Sequence, residues 1–230
     1  MKRLRREVSA LYIFDLDGTI TDSNGLWLEV DDEFLSRRGL VTTAEYQDMV
    51  GRAIFPTAAQ YTREYYGLSD SPESIMAEWE ALAEHHYREL VPLKAGAEEF
   101  LRLCRGTGRG VALFTACRPN LCRAVLERFH LTGYFDHIVY AEEIGLEKQD
   151  PRCFAELARR IGVKAEECVL FDDSPANCAT ARAAGMTVVG VRDRFYAHRR
   201  EELERVCHRC VDSMMELADD CNPAVPVIEY

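Results

Sequence analysis

The chain has 230 residues, 47% hydrophobic and 29% charged, which excludes a disordered or fibrous protein and suits one large core domain with a small inserted one. A formal net charge of -11 opposes a phosphate backbone, so nucleic acid is not an expected partner. No apolar run reaches the roughly 18 residues of a membrane-spanning helix, so no membrane partner is expected either.

The basic start, Met1 to Arg6, leads into an apolar run, Val8 to Phe14, that Asp15 and Asp17 break too early for a signal peptide. A soluble, cytoplasmic protein is expected. The nine cysteines, an odd and scattered set, fit reduced thiols better than a disulfide framework. The spacing Cys207-His208-Arg209-Cys210, with Cys221 beyond it, offers donors to zinc. A second close pair is missing, so these read as thiols on or near a C-terminal helix.

In chain order, Ala10 to Phe14 reads as a buried strand that stops at Asp15-Leu16-Asp17-Gly18-Thr19. From about Ser23 to Leu90 the apolar spacing is helical: Trp27, Val30, Phe34 and Leu35, then Tyr61, Tyr65 and Tyr66, then Ile75, Trp79, Leu82 and Ala83. A helical insertion follows from this. After Pro92, helix-like segments at 94–106, 118–130, 151–162 and 175–185 alternate with short apolar runs at 111–115, 137–140, 168–171 and 187–191. That rhythm predicts a parallel sheet covered on both faces. Residues 199–219 read as one or two short helices, and Asn222-Pro223 opens an extended tail.

Ligands of an open parallel sheet bind beyond the carboxyl ends of its strands. The first strand delivers Asp15 and Asp17 there, the second Thr115, and the run Cys168 to Phe171 delivers Asp172 and Asp173. So many carboxylates in one place repel one another unless a cation sits among them, and hard oxygen donors suit Mg²⁺. Any one of these aspartates alone also fits a helix cap or turn. Beside a metal, Asp15 is placed to attack a phosphoryl group, and Asp17 to act as acid and then base. Gly18 lets the backbone approach a ligand closely.

Asp15-Leu16-Asp17-Gly18-Thr19-Ile20-Thr21-Asp22-Ser23 resembles the first motif of the haloacid dehalogenase superfamily. Thr115 resembles the second motif, Lys148 before Asp150-Pro151 the third, and Phe171-Asp172-Asp173-Ser174-Pro175 with Ala183-Ala184-Gly185-Met186 the fourth. The resemblance implies a Rossmann-like α/β core from residues 1–22 and 92–220, a helical cap from 23–91 and an extended tail at 221–230. It implies Asp15 as nucleophile, Asp17 as general acid and base, and Thr115 and Lys148 as holders of the phosphoryl oxygens. Mg²⁺ is then held by the Asp15 carboxylate, the Asp17 carbonyl and Asp173, with Asp172 supporting it directly or through water. The metal-free dehalogenases fit poorly because they lack a counterpart of Asp17.

Lys148 has separate support. Only four of the 28 Lys and Arg residues are lysines (2, 94, 148 and 164), so a lysine at this place suggests that a compact ammonium is needed. The family's usual Lys-Pro is here Lys148-Gln149.

The insertion resembles the cap of the β-phosphoglucomutase-like and phosphoglycolate-phosphatase-like branch. It contains no lysine, which excludes a Schiff-base route to carbon–phosphorus cleavage. Trp27 stands where β-phosphoglucomutases place a cap histidine. Gly18, Ala116, Arg118, Arg52 and Trp27 are the expected substrate-binding residues, with Arg63, Tyr61 and Tyr65 as further cap candidates, although helix-spaced aromatics also serve as cap core and arginines as solvated surface. The expected activity is Mg²⁺-dependent hydrolysis of a small phosphorylated metabolite. A sugar phosphomutase and a non-catalytic binding module are the alternatives.

Overall fold

A computed structural model describes residues 11–50 and 55–219. Arg52, Cys221 and the expected tail at 221–230 lie outside the described residues. In chain order the elements are β1 (Leu11–Phe14), α1 (Leu26–Ser36), α2 (Ala44–Val50), α3 (Phe55–Tyr66), α4 (Pro72–His85), α5 (Ala97–Gly106), β2 (Gly110–Thr115) and α6 (Pro119–Arg128). There follow β3 (His137–Tyr140), α7 (Ala141–Ile144), α8 (Cys153–Ile161), β4 (Cys168–Asp172), α9 (Pro175–Ala183), β5 (Thr187–Val191), α10 (Arg200–Val206) and β6 (Arg209–Val211). The fold is α/β: six parallel strands in the order β3-β2-β1-β4-β5-β6, with a set of helices inserted after β1.

The four inner strands, β1, β2, β4 and β5, are short, apolar and buried on both faces, as parallel pairing under helices favours. Alternation sorts their side chains. Leu11, Ile13, Ala112, Phe114, Leu170 and Val188 join one buried cluster with Phe154 and Leu157 of α8, Cys178 of α9 and Leu203 of α10. Phe14 and Phe171, register partners on β1 and β4, stack on the opposite face at 4.5 Å between ring centroids. Phe100 of α5 meets both rings edge-on.

One strand differs from the sequence expectation. Residues 199–219 form α10, then β6, then a 3₁₀ turn at Met214–Leu217, rather than helices alone. Arg209-Cys210-Val211 is too short for its pattern to announce a strand, and pairing with Val189-Gly190-Val191 makes it one. Cys207 therefore ends α10 while Cys210 sits on β6, and the His208 Nδ1 accepts the Val188 N–H at 3.0 Å. All eight described cysteines are free thiols. No helix among the described residues is long and apolar enough to cross a membrane.

By internal contacts, the chain divides into one unit from residues 1–23 with 92–230 and a second from 24–91. The second unit is helical and knitted by aromatic edges: Phe34 with Trp79, Phe55 with Trp79, and Trp27 with Phe55. Arg38 lies over the Phe34 ring and bridges Glu78 at 2.7 Å and Asp70 at 3.0 Å. Asp31 shares the buried face of α1, where the Tyr46 hydroxyl donates to it at 3.1 Å.

Gly190 has no room for a side chain, because a Cβ there would meet Cys207 Sγ and Leu203 Cγ at 2.9 Å and Cys210 Sγ at 3.0 Å. Gly190→Ala is expected to lower stability by about 1–3 kcal/mol in urea unfolding, the usual cost of overpacking. Burial raises the Asp31 carboxyl to about 7, against the Tyr46 hydrogen bond that draws it down and with Asp32 adding to the rise. The unfolded chain thus loses this proton near the ordinary value of 3.8 while the folded chain keeps it, so stability falls as pH rises through that interval up to about 7. Asp31→Asn should therefore raise the unfolding free energy more at pH ~8 than at pH ~5, by a difference on the order of 1–2 kcal/mol in urea unfolding. Equal shifts at both pH values would contradict this.

Candidate active site

The loop after β1 is wound tightly by its own main chain. Leu16 O accepts from the N–H groups of Thr19, Ile20 and Thr21, while Gly18 N–H donates to Thr21 O at 2.8 Å. Gly18 has φ +78°, a conformation that a side chain would strain. Thr21 Oγ1 donates back to Leu16 O, and Ser23 Oγ donates to Asp17 Oδ1 at 2.6 Å. The Asp17 carboxylate is thereby aimed, while Asp15 stays joined to the sheet through its N–H to Phe171 O at 2.9 Å.

β1 and β4 are neighbours at the point where the strand order reverses, which is where open α/β sheets bind ligands. Their ends bring Asp15, Asp172 and Asp173 together, all buried, with one carboxylate oxygen of each within 4.8 Å of the others. Lys148 comes from the loop between α7 and α8, and its Nζ donates to Asp15 Oδ1 at 2.5 Å and to Asp172 Oδ2 at 3.2 Å. The ammonium also lies 5.0 Å from the centroid of the Phe114 ring.

Asp172 is fully buried and takes further hydrogen bonds from Ser174 N–H at 2.9 Å and from Asn177 Nδ2 at 3.2 and 3.3 Å. Its oxygens are therefore engaged in holding Lys148 and the start of α9. Asp173 receives the Thr19 hydroxyl at 3.4 Å. Thr115, at the end of β2, is fully buried and accepts Cys117 N–H at 2.9 Å, which leaves its own O–H to donate.

The electrostatics follow from crowding. Burial pushes the Asp15 carboxyl up to about 7; the Lys148 ammonium draws it down, and Asp172 and Asp17 push it up again. Burial alone would lower Lys148, but Asp15 and Asp172 outweigh it and hold the ammonium above its ordinary value. Three buried carboxylates against one ammonium leave an excess of negative charge, which a divalent cation with hard oxygen ligands would relieve. The donor set fits such an ion.

Of the residues expected from sequence, the structure gathers Asp15, Asp172, Asp173 and Lys148 directly, with Asp17, Gly18 and Thr115 on the adjoining strand ends. Ala116 and Arg118 lie exposed just past β2, and Arg118 is the residue before α6. Trp27, Tyr61, Tyr65 and Arg63 belong to the helical unit, where Trp27 packs on Phe55 and Tyr65 on Tyr46 and Tyr66. Arg52 falls outside the described residues. Sequence reasoning missed Asn177 and assigned no task to Ser23. The only signal for Asn177 is its place one turn into the helix that follows the Asp172-Asp173 pair.

Comparison with known proteins agrees with this geometry. Residues 10–185 match the family model for haloacid dehalogenase-like hydrolases. The fructose-1-phosphate phosphatase YqaB of Escherichia coli is 31% identical over 183 residues, 78% of this chain and 95% of that protein. Hexitol phosphatase B of the same bacterium is 28% identical over 182 residues, 78% of this chain and 82% of that protein. The crystal structure of a putative β-phosphoglucomutase from Thermotoga maritima superposes with a TM-score of 0.79 at 22% identity, covering 94% of this chain and all of the other, a likeness of fold. On the family match, the 31% relative and the shared architecture, the chain belongs to the haloacid dehalogenase-like hydrolases, a family in which the two Escherichia coli relatives named above are phosphatases.

Proposed function

We propose that this chain is a Mg²⁺-dependent, cytoplasmic phosphatase that hydrolyses the phosphomonoester of a small metabolite through an aspartyl-phosphate on Asp15. The observation that carries the reading is the buried Asp15–Lys148–Asp172 arrangement beside Asp173, at the strand ends where the sheet order reverses. A scaffold or binding module has no use for so much buried, mutually repelling charge. The named relatives act on fructose 1-phosphate and hexitol phosphates, which favours a phosphorylated sugar or sugar alcohol as the substrate class. Free thiols throughout the described residues agree with a reducing compartment.

Asp15, as the carboxylate, attacks phosphorus and the ester oxygen departs with a proton from Asp17, which Ser23 holds in direction. Asp17, now ionised, takes a proton from water, and that water cleaves the phospho-aspartate to release inorganic phosphate. Lys148 and the Thr115 hydroxyl hold the oxygens of the transferring group, and Asp172 with Asn177 keeps Lys148 in place. A Mg²⁺ ion held by Asp15, the Asp17 carbonyl and Asp173 would neutralise phosphoryl charge. Gly18, Ala116 and Arg118, with Arg52 and Trp27 from the inserted segment, are the residues we assign to substrate contact. The chain segments 1–22 with 92–220 and 23–91 serve in this reading as catalytic core and cap.

Two outcomes test it. Phosphate release from a panel of sugar phosphates, sugar-alcohol phosphates, nucleotides and phosphoglycolate should require Mg²⁺, stop with EDTA and vanish in Asp15→Asn. Interconversion of sugar phosphates without net phosphate release would mark a phosphomutase instead. Asp17→Asn should slow the first phosphoryl transfer, read as the pre-steady-state burst of leaving-group release, by about 10²- to 10⁴-fold on alkyl esters and much less on an activated aryl ester, whose leaving group needs no proton. An equal loss on both would remove Asp17 from the acid role.

A further inference from the structure

Lys94 opens the segment by which the chain rejoins the core unit, and main-chain bonds already set its place. Its N–H donates to Ile20 O at 2.9 Å, Thr21 and Leu93 form an antiparallel bridge, and Asp22 N–H donates to Pro92 O at 3.0 Å. The side chain makes three further bonds that this pairing does not require. Its Nζ donates to Gly18 O at 2.8 Å, to Arg192 O at 3.0 Å and to Asp193 Oδ2 at 2.7 Å. An ammonium has three N–H donors, so all three are used. The Asp193 side chain is only 2% exposed, and its other oxygen accepts Phe195 N–H at 2.9 Å.

The three acceptors come from two parts of the fold, since Arg192 and Asp193 follow β5 and Gly18 sits in the loop after β1. Gly18 is the residue of that loop with the widest conformational freedom. Its N–H, in the Asp17–Gly18 peptide, is held by Thr21 O, and its C=O, in the Gly18–Thr19 peptide, by Lys94, so the peptides on both sides of Gly18 are restrained. A planar guanidinium cannot serve three acceptors converging on one point, whereas a tetrahedral ammonium can. The scarce lysines show the same preference: of the three among the described residues, Lys94 and Lys148 are the two whose ammonium groups reach the loops of the active site.

We propose that Lys94, with Asp193 as its counter-charge, is a positioning pair that fixes the Gly18–Thr19 peptide, and through Gly18 the aim of the Asp17 carbonyl and carboxylate, by fastening the β1 loop to the end of β5. This rests on the phosphatase reading of that loop. Neither residue touches the reacting atoms. A purely structural ion pair would change stability and leave the chemistry per folded molecule intact; a positioning pair changes kcat more than KM.

The test uses full-length Lys94→Met, Asp193→Asn and the double variant, with kcat and KM on the best ester, Mg²⁺ affinity by calorimetry without substrate, and melting temperature. We expect kcat to fall on the order of 10- to 100-fold in Lys94→Met, with KM within about threefold, since small misplacements of reacting groups cost this much. Mg²⁺ should bind at least about threefold more weakly, and the double variant should be no slower than Lys94→Met, as for residues acting as one unit. A kcat and a Mg²⁺ affinity both within about twofold of wild type in a folded variant would overturn the proposal, whatever the melting temperature does. Asp193→Asn, which keeps an acceptor for Lys94, decides the matter if Lys94→Met does not fold. If the wild type hydrolyses no ester, the phosphatase reading fails by itself, and the calorimetry still judges the pair: unchanged Mg²⁺ affinity overturns it, weakened affinity sustains it.

Discussion

The arrangement of this molecule depends on one buried ammonium. Lys148 stands between Asp15 and Asp172, and without it two carboxylates would face each other out of water with a third, Asp173, alongside. Such crowding is costly unless each charge has a partner and each lone pair a donor. The fold meets that demand by placing β1 and β4 side by side, starting α9 under Asp172, and threading the α7–α8 loop back over the strand ends.

That demand also accounts for the surrounding detail. Apolar strands buried on both faces make a stiff floor, and the stacked Phe14 and Phe171 hold β1 and β4 in register one residue before Asp15 and Asp172. Above the floor, short hydroxyl side chains do the aiming: Ser23 on Asp17, Thr19 on Asp173, Thr21 on the Leu16 carbonyl. Negative charge left over at the strand ends is what a divalent cation would offset, and in the proposed reading Lys148 and Thr115 would then receive the phosphoryl oxygens.

The helical unit is built on a different principle. Its core joins aromatic edges to buried aliphatics such as Val30, Leu35 and Ile75, and it buries Asp31 against the Tyr46 hydroxyl instead of exposing it. The helical spacing of Trp27, Val30, Phe34 and Leu35 made α1 readable, yet Asp31 lies on that same face and nothing in the pattern marks it as buried. Trp27 shows the converse. Its packing on Phe55 gives it a place in the unit's own structure, a role that helical spacing foretells as readily as ligand contact.

From sequence alone, five of the six strands, the helical insertion and the core helices other than α7 were legible, because short strands leave unbroken apolar runs and glycines and prolines punctuate the helices. Asp15, Asp17, Thr115, Asp172 and Asp173 were legible as polar residues at strand ends, and Lys148 through its motif and the scarcity of lysine. Tertiary structure alone decided the rest. β6 exists only because β5 offers an edge to its three residues. Asn177 on Asp172, and Lys94 with Asp193 around the Gly18 carbonyl, join residues that local periodicity cannot relate. Periodicity reports which face of an element is apolar; which polar groups meet across different elements is set by how those elements pack, and so it appears only once the chain is folded.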